Sequence, residues 1–95
     1  MKTLLQTGKL YWTRGIEEAM SNVMMRFFVL GALECHKRGN WGDIDDQDKE
    51  ENDRALENEL RVVSSYNTDM VADGKIWIIT ERGRETTTVL LPSEY

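Results

Sequence analysis

The pattern of hydrophobic and polar positions predicts two main helices in the first two thirds of the chain. The first spans residues 21–38, with Ser21 or Asn22 as N-cap, and its middle is apolar nearly all round, which is typical of a helix buried on several sides. Gly31 in its interior costs about 1 kcal/mol relative to alanine, so we expect another element to cross closely there. The second helix, 45–58, has a narrow apolar edge and a wide charged face.

Three strands follow these helices in the order of an antiparallel meander. Apolar residues alternate with polar ones from Leu60 to Tyr66, and Asp73-Gly74 is a hairpin signal before the next strand. Pro92 ends the third strand because it lacks a backbone donor. The predicted strands are 60–66, 75–80 and 86–91, and a weaker strand or arm at 4–12, followed by a helical turn at 14–20, is a further candidate for the sheet.

The middle strand is apolar on both faces, since Ile76, Trp77, Ile78 and Ile79 follow one another. A sheet covered by helices on one side only would show alternation, so the second face must also be covered. Burial of a tryptophan and an isoleucine is worth a few kcal/mol. We expect the N-terminal arm, a second copy of the protein or a foreign partner to cover that face.

Length and composition predict one small intracellular domain. The 95 residues allow a single core, and we assign 1–95 to one domain. No apolar run approaches the roughly 20 residues of a membrane span, and the N-terminus lacks the pattern of a secretory signal. A single cysteine makes a reducing, cytoplasmic location the expectation. The net charge of −5 argues against general nucleic-acid binding.

The negative charge is concentrated in residues 43–59, which hold nine acids and two bases, whereas the rest of the chain carries +2. Pairs at i,i+4, Lys49 with Asp53 and Glu50 with Arg54, explain part of this pattern without any function. The segment is therefore either a solvated helix face or a surface that presents carboxylates to a basic partner, which would speed encounter and weaken with salt.

The sequence offers no catalytic or metal-binding constellation. His36 and Cys35, the only residues of their kinds, are helix neighbours about 100° apart and cannot act together as base and nucleophile. We interpret His36 as a cation at the helix C-terminus and Cys35 as a core or boundary residue. The acidic segment lacks the turn glycine of a calcium loop, and no phosphate-binding glycine loop occurs, so no metal or cofactor is expected.

Some residues are candidates for contact with a protein partner. Trp41, in a glycine-flanked connection, is either a plug at the corner between the helices or an exposed interface anchor. The turn Arg82-Gly83-Arg84 is either a solvated tip or an anion or partner contact. The candidate partner-binding residues are Trp41, Asp43, Asp46, Glu50, Asp53, Glu57, Trp77, Arg82 and Arg84.

The chain resembles a family of small bacterial proteins, often labelled plasmid-related, that are carried on plasmids, conjugative elements and prophages. The resemblance covers nearly the whole chain and rests on Thr13-Arg14-Gly15-Ile16, on the W-G-D run from Trp41, on I-W-I-I-T-E from Ile76 and on L-P-x-E-Y from Leu91. It implies no established catalytic activity. The family usually has Ala-Asp after I-T-E, where this chain has Arg82-Gly83.

These observations predict a non-enzymatic inhibitor from a mobile element. Small acidic proteins of such elements often block host defence, and some imitate DNA phosphates, so we expect an anti-CRISPR or anti-restriction protein whose acidic helix occupies the basic groove of a Cas or restriction nuclease. Trp41 or Trp77 would supply apolar anchorage. The alternative is a structural or regulatory module that forms homo-oligomers, including a homodimer, through the doubly apolar strand. Direct nucleic-acid binding through Arg14, Arg82 and Arg84 is the less favoured interpretation.

Overall fold

The computed structural model describes residues 5–95, in which three helices accompany a four-stranded sheet. The α+β class that the sequence predicts is thereby confirmed. The predicted N-terminal arm begins at Leu4, which lies outside the described residues. The elements are β1 (Lys9–Trp12), α1 (Arg14–Ala19), α2 (Val23–Lys37), α3 (Asp46–Glu57), β2 (Val62–Asn67), β3 (Lys75–Thr80) and β4 (Thr86–Leu90), with 3₁₀ turns at Arg82–Arg84 and Pro92–Glu94.

The sheet has the strand order β1-β4-β3-β2 and is mixed. β2 pairs antiparallel with β3 and β3 with β4, but β1 runs parallel to β4, with Leu10 opposite Thr87 and Trp12 opposite Val89. The predicted antiparallel meander forms β2, β3 and β4, and the predicted arm at 4–12 supplies the fourth strand, β1. The prediction is wrong for the sheet as a whole, which has four strands and is mixed because β1 is parallel to β4. Parallel strands that are far apart in sequence are not connected by a hairpin, so no local turn sequence predicts that they pair.

α2 packs on one face of the sheet, and the main core lies between them. Met25, Val29 and Leu33 of the helix form one buried cluster with Ile78 and Val89 of the sheet. The helix begins after Asn22, whose side chain accepts a hydrogen bond from the amide of Met24 over 2.9 Å. This contact settles the choice between the two predicted N-caps. None of the helices that the structure describes has the length and apolar character of a membrane span.

α2 is not buried on several sides, contrary to the prediction. Its outward side exposes Val23, Met24, Phe27 and Leu30, and no atom lies within 4 Å of the position that a Cβ on Gly31 would take. The expected crossing at Gly31 is therefore not made within the described chain. The helix has two apolar sides, of which one is buried and the other is exposed to solvent. The hydrophobic pattern of the sequence does not show which side is buried.

β3 is an interior strand, which accounts for its doubly apolar pattern. Ile76 and Ile78 face α2, while Ile79 is buried on the opposite face and Trp77 is half-buried there. The ring of Tyr95 lies edge-on to Trp77, with ring centroids 5.8 Å apart. Part of the second face is thus covered by the C-terminal end of the same chain rather than by another molecule.

Candidate functional site

The outward side of α3 presents a row of carboxylates. Asp46, Glu50, Asp53 and Glu57 follow one another at spacings of four, three and four residues, so they lie on one side of the helix, and all four are exposed. We call these four residues the acidic stripe. The stripe extends about 17 Å along the helix, with a negative charge about every 5.5 Å.

The carboxylates of α3 are not neutralised by ion pairs within the described part of the chain. The ion pairs found there join Arg14 to Glu18, Glu34 to Lys37 and Arg38, and Arg61 to Glu81. The predicted pairs of Lys49 with Asp53 and of Glu50 with Arg54 are not among them. The negative charge of α3 therefore faces solvent.

Both ends of α3 are held by side-chain hydrogen bonds. Asp45 is the N-cap, as predicted, and its carboxylate accepts from the amide of Asp48 over 2.8 Å. At the other end Arg84 donates to the carbonyl oxygens of Leu60, Ala55 and Leu56 over 2.6, 3.1 and 3.3 Å. Ala55 and Leu56 belong to the last turn of α3 and Leu60 follows the helix, so the guanidinium joins the helix end to the segment after it. Arg84 thus holds α3 in place, so this candidate partner-binding residue has a structural role.

Asn52 joins α3 to the open edge of β2. Its amide nitrogen donates to the carbonyl oxygen of Val63 over 2.7 Å, and its amide oxygen accepts from the Val63 amide over 3.3 Å. A side-chain amide offers both a donor and an acceptor, as the backbone of a neighbouring strand does. The contact fixes the helix along the sheet edge, with Glu50 and Glu57 of the acidic stripe exposed on the outward side of α3.

Trp41 plugs the corner between the helices and the sheet, and it is not an exposed anchor. It is 3% exposed and packs with Leu5 and Val62. Its indole nitrogen donates to Asp53 over 2.9 Å, which gives one carboxylate of the acidic stripe a structural contact. The expectation that Trp41 binds a partner is therefore corrected, because its ring lies inside the core.

The connection that carries Trp41 is tied to β2 by its neighbours. The Asp43 carboxylate accepts a hydrogen bond from the backbone amide of Asn67 over 2.9 Å, so this exposed candidate residue also has a local structural role. Gly42 has φ +78°, and a Cβ there would lie 2.1 Å from the carbonyl oxygen of Ser65. Only glycine permits the chain to approach β2 this closely.

A groove of about 780 Å³ separates α3 from the outer face of the sheet. Trp77 and Val63 lie on its sheet side, and Ile44 and Ala55 on its helix side. Arg82, which is exposed, lies at the same groove. The structure therefore brings Trp77 and Arg82 next to α3, although neither belongs to the acidic stripe.

His36 is a buried neutral residue and not the helix-terminal cation that the sequence suggested. Its ring nitrogens lie 2.6 Å from the hydroxyl of Ser64 and 2.8 Å from that of Thr80, which in turn lies 2.7 Å from the Thr87 hydroxyl. Burial, with a smaller contribution from the Arg84 guanidinium, lowers the pKa of His36 to about 4. The imidazole thus links α2 to three strands through a polar chain inside the core.

Sequence reasoning missed both His36 and Asn52 as positioning residues. Asn52 lies three and four residues before Ala55 and Leu56, on the narrow apolar edge of α3, and this spacing is the signal that could have identified it. No comparable signal marks His36, because its partners lie 28 and 44 residues away.

Neither a search for metal-binding clusters nor comparison with known proteins identifies a further site. Within residues 5–95 no group of three or more His, Cys, Asp or Glu side chains is arranged to hold a metal ion. No protein-family model matches the chain, and no curated protein or solved structure matches it significantly.

Proposed function

We propose that this chain is a binding protein that inhibits a nucleic-acid-cleaving enzyme of host defence by placing the acidic stripe in its basic groove. The observation that carries the proposal is the exposed row of four carboxylates on one side of α3, without an ion pair among the described residues. The choice of a Cas or restriction nuclease as target rests on the resemblance to proteins of mobile elements.

The spacing of the stripe supports a nucleic-acid-like surface. One charge about every 5.5 Å along the helix is of the same order as one phosphate per roughly 3.4 Å along one strand of duplex DNA. A protein groove lined by lysine and arginine would exchange its bound anions or its nucleic acid for these carboxylates. Such binding is fast and weakens steeply with salt.

The groove beside α3 supplies the apolar part of the contact. Trp77 is half-buried there and keeps part of its ring accessible, whereas Trp41 is not accessible. A tryptophan next to a charged surface is a typical anchor in protein interfaces. Trp77 therefore replaces Trp41 as the aromatic residue that we assign to partner binding.

A cleavage assay with matched variants tests the proposal. Purified protein is added at micromolar concentration to a panel of Cas and restriction nucleases acting on labelled DNA. The acidic variant removes three stripe charges and spares Asp53, which holds Trp41: Asp46→Asn, Glu50→Gln and Glu57→Gln. The control variant removes three exposed charges elsewhere: Glu18→Gln, Asp69→Asn and Glu85→Gln.

We expect the wild-type chain and the control variant to inhibit one member of the panel and the acidic variant to be weaker by about tenfold to hundredfold. Failure to inhibit any member would remove the proposed target class. Equal weakening by both variants would show that net charge, and not the acidic stripe, is responsible.

A further inference from the structure

One face of the molecule exposes six large apolar side chains, in contrast to the charged acidic stripe. Their exposed fractions range from 41% for Leu10 to 66% for Phe27. At roughly 100 Å² for each half-exposed side chain they present about 600 Å² of apolar surface, as large as the largest patches on ordinary monomers. We call this set the α2–β1 face: Leu10, Trp12, Val23, Met24, Phe27 and Leu30.

The α2–β1 face contains a groove that an apolar side chain can enter. Leu10 and Trp12 of β1 lie opposite Leu30 and Leu33 of α2, and the space between them measures about 480 Å³. Leu33 itself is buried, so the floor of the groove is core and its walls are exposed side chains. Filling the groove would remove these walls from water.

β1 leaves one side of its backbone without a strand. It pairs with β4 on one side, and no other strand formed by residues 5–95 lies on the other. All four residues of β1 are exposed. An open edge of this kind is a template for pairing with another chain.

The charges on α2 are arranged so that the helix complements a second copy of itself. Arg26 lies four residues before Leu30 and Glu34 lies four residues after it, and both are exposed. Glu34 also pairs with Lys37 and Arg38 of its own helix over 3.4 and 3.8 Å, and such exposed pairs are weak enough to be exchanged for a partner's arginine. The Arg26 Nε donates to the carbonyl oxygen of Met20 over 2.7 Å, which holds this guanidinium at the end of the face. In two antiparallel helices that cross at Leu30, each Arg26 meets the Glu34 of the other copy.

We propose that a second copy of this chain binds the α2–β1 face, so that two α2 helices cross antiparallel near Leu30 in a symmetric dimer. Gly31 leaves open space at the crossing and lets the two backbones approach closely. With the polar rim of Arg26 and Glu34 added to the apolar surface, the face reaches the roughly 800 Å² per partner of a standard interface.

Sedimentation equilibrium on the full chain tests the dimer. We expect a mass twice the 11.0 kDa of one chain at micromolar concentration. The variant Phe27→Lys with Leu30→Glu should weaken association at least tenfold, and its helical circular dichroism should persist because both side chains are exposed. A control with two exposed apolar residues outside the face, Leu60→Glu with Met70→Lys, should associate as the wild type does.

Charge reversal tests the antiparallel arrangement. Arg26→Glu alone places two acids at each contact, and Glu34→Arg alone places two bases there, so each variant should self-associate at least tenfold more weakly. Mixing the two variants pairs acids with bases at both contacts and should restore a dimer. A monomer at all concentrations, a dimer that survives the Phe27/Leu30 variant, or a mixture that fails to associate would each overturn the proposal.

Discussion

The carboxylate of Glu94 accepts a hydrogen bond from the backbone amide of Gly15 over 2.8 Å, across 79 residues of sequence. The same carboxylate accepts from the Thr13 hydroxyl and from the Leu91 amide. Burial acts to raise the pKa of Glu94, but these hydrogen bonds outweigh it and leave the pKa below its ordinary value. The C-terminal turn is thereby fastened to the start of α1.

Gly15 permits this contact because it has no side chain. A Cβ on residue 15 would lie 2.7 Å from the Cδ1 of Leu91 and 2.8 Å from the Oε2 of Glu94, so the carboxylate would have to move away. The T-R-G-I and L-P-S-E-Y segments, which the sequence singles out separately, thus form one structural unit.

A double-mutant cycle tests the unit. We expect Glu94→Ala to lower the free energy of unfolding by about 1 kcal/mol in the wild type, which is typical of a lost helix N-terminal contact. In a Gly15→Ala background the contact is already broken, so the same substitution should cost close to nothing. Urea unfolding monitored by circular dichroism measures both values.

Gly31→Ala is the matched control for that cycle. Its Cβ would meet no atom within 4 Å, so alanine should stabilise a monomeric chain by up to about 1 kcal/mol through helix propensity. The cost of Glu94→Ala should be the same in this background as in the wild type. An unchanged cost in the Gly15→Ala background as well would contradict the coupling.

The buried His36 should make stability depend on pH. Its pKa is about 4 in the folded chain and 6.5 as the ordinary value, so the unfolded chain binds more protons between these limits. The contribution of neutral His36 to the free energy of unfolding is present above pH 6.5 and is lost as the pH falls toward 4. We expect a loss of about 2 kcal/mol between pH 7 and pH 5 from this residue.

Comparison with His36→Gln isolates this effect, because other titrating groups such as Glu94 are shared by both chains. The difference in free energy of unfolding between wild type and variant should shrink by about 2 kcal/mol from pH 7 to pH 5. Parallel stability curves across that range would show that His36 is not buried as a neutral ring.

The amide of Asn52 should stabilise the attachment of α3 to β2. Asn52→Ala leaves the Val63 backbone groups without this partner, and we expect a loss of about 1–3 kcal/mol in the free energy of unfolding. Asn52→Asp should cost at least as much because it removes the donor and places a carboxylate beside a carbonyl oxygen. Gln47→Ala, at an exposed position of the same helix, should change stability by less than about 0.5 kcal/mol.

Two arginines of one turn should differ in their effect on stability. Arg84→Ala removes two hydrogen bonds to carbonyl groups in the last turn of α3 and one to the carbonyl of Leu60 just after it, and should cost about 1–3 kcal/mol. Arg82→Ala makes the same change of charge two residues away, at an exposed side chain, and should cost less than about 0.5 kcal/mol. Equal costs in thermal or urea unfolding would contradict the capping role of Arg84.

Local signals predicted the helices and the meander part of the sheet, because caps and turns act within a few residues. Asp45 is the N-cap of α3 as expected, and the strand predicted at 75–80 is β3. The parallel pairing of Leu10 with Thr87 was not predictable in this way, since its energy comes from contacts far apart in sequence.

Some features of the candidate site follow from the local sequence, and others depend on tertiary contacts. The exposure of Asp46, Glu50 and Glu57 follows from their place on the wide charged face of a helix. The burial of Trp41 and the capping role of Arg84 depend on tertiary neighbours that the local sequence does not specify. For α2, the apolar pattern predicts that the helix packs against other apolar side chains. It does not distinguish side chains of the same chain from those of a partner.

We propose that the acidic stripe competes with nucleic acid for a basic protein surface. The most direct test of this proposal is the displacement of labelled duplex DNA from the nuclease panel, followed by fluorescence anisotropy at 50 and 200 mM salt. We expect displacement from one nuclease. The affinity of the chain for that nuclease, corrected for the nuclease's own affinity for the DNA at each salt concentration, should fall with salt, and this salt dependence should be smaller by about three counterions in the variant lacking the charges of Asp46, Glu50 and Glu57. Displacement from no nuclease, or displacement that neither salt nor the variant alters, would contradict it.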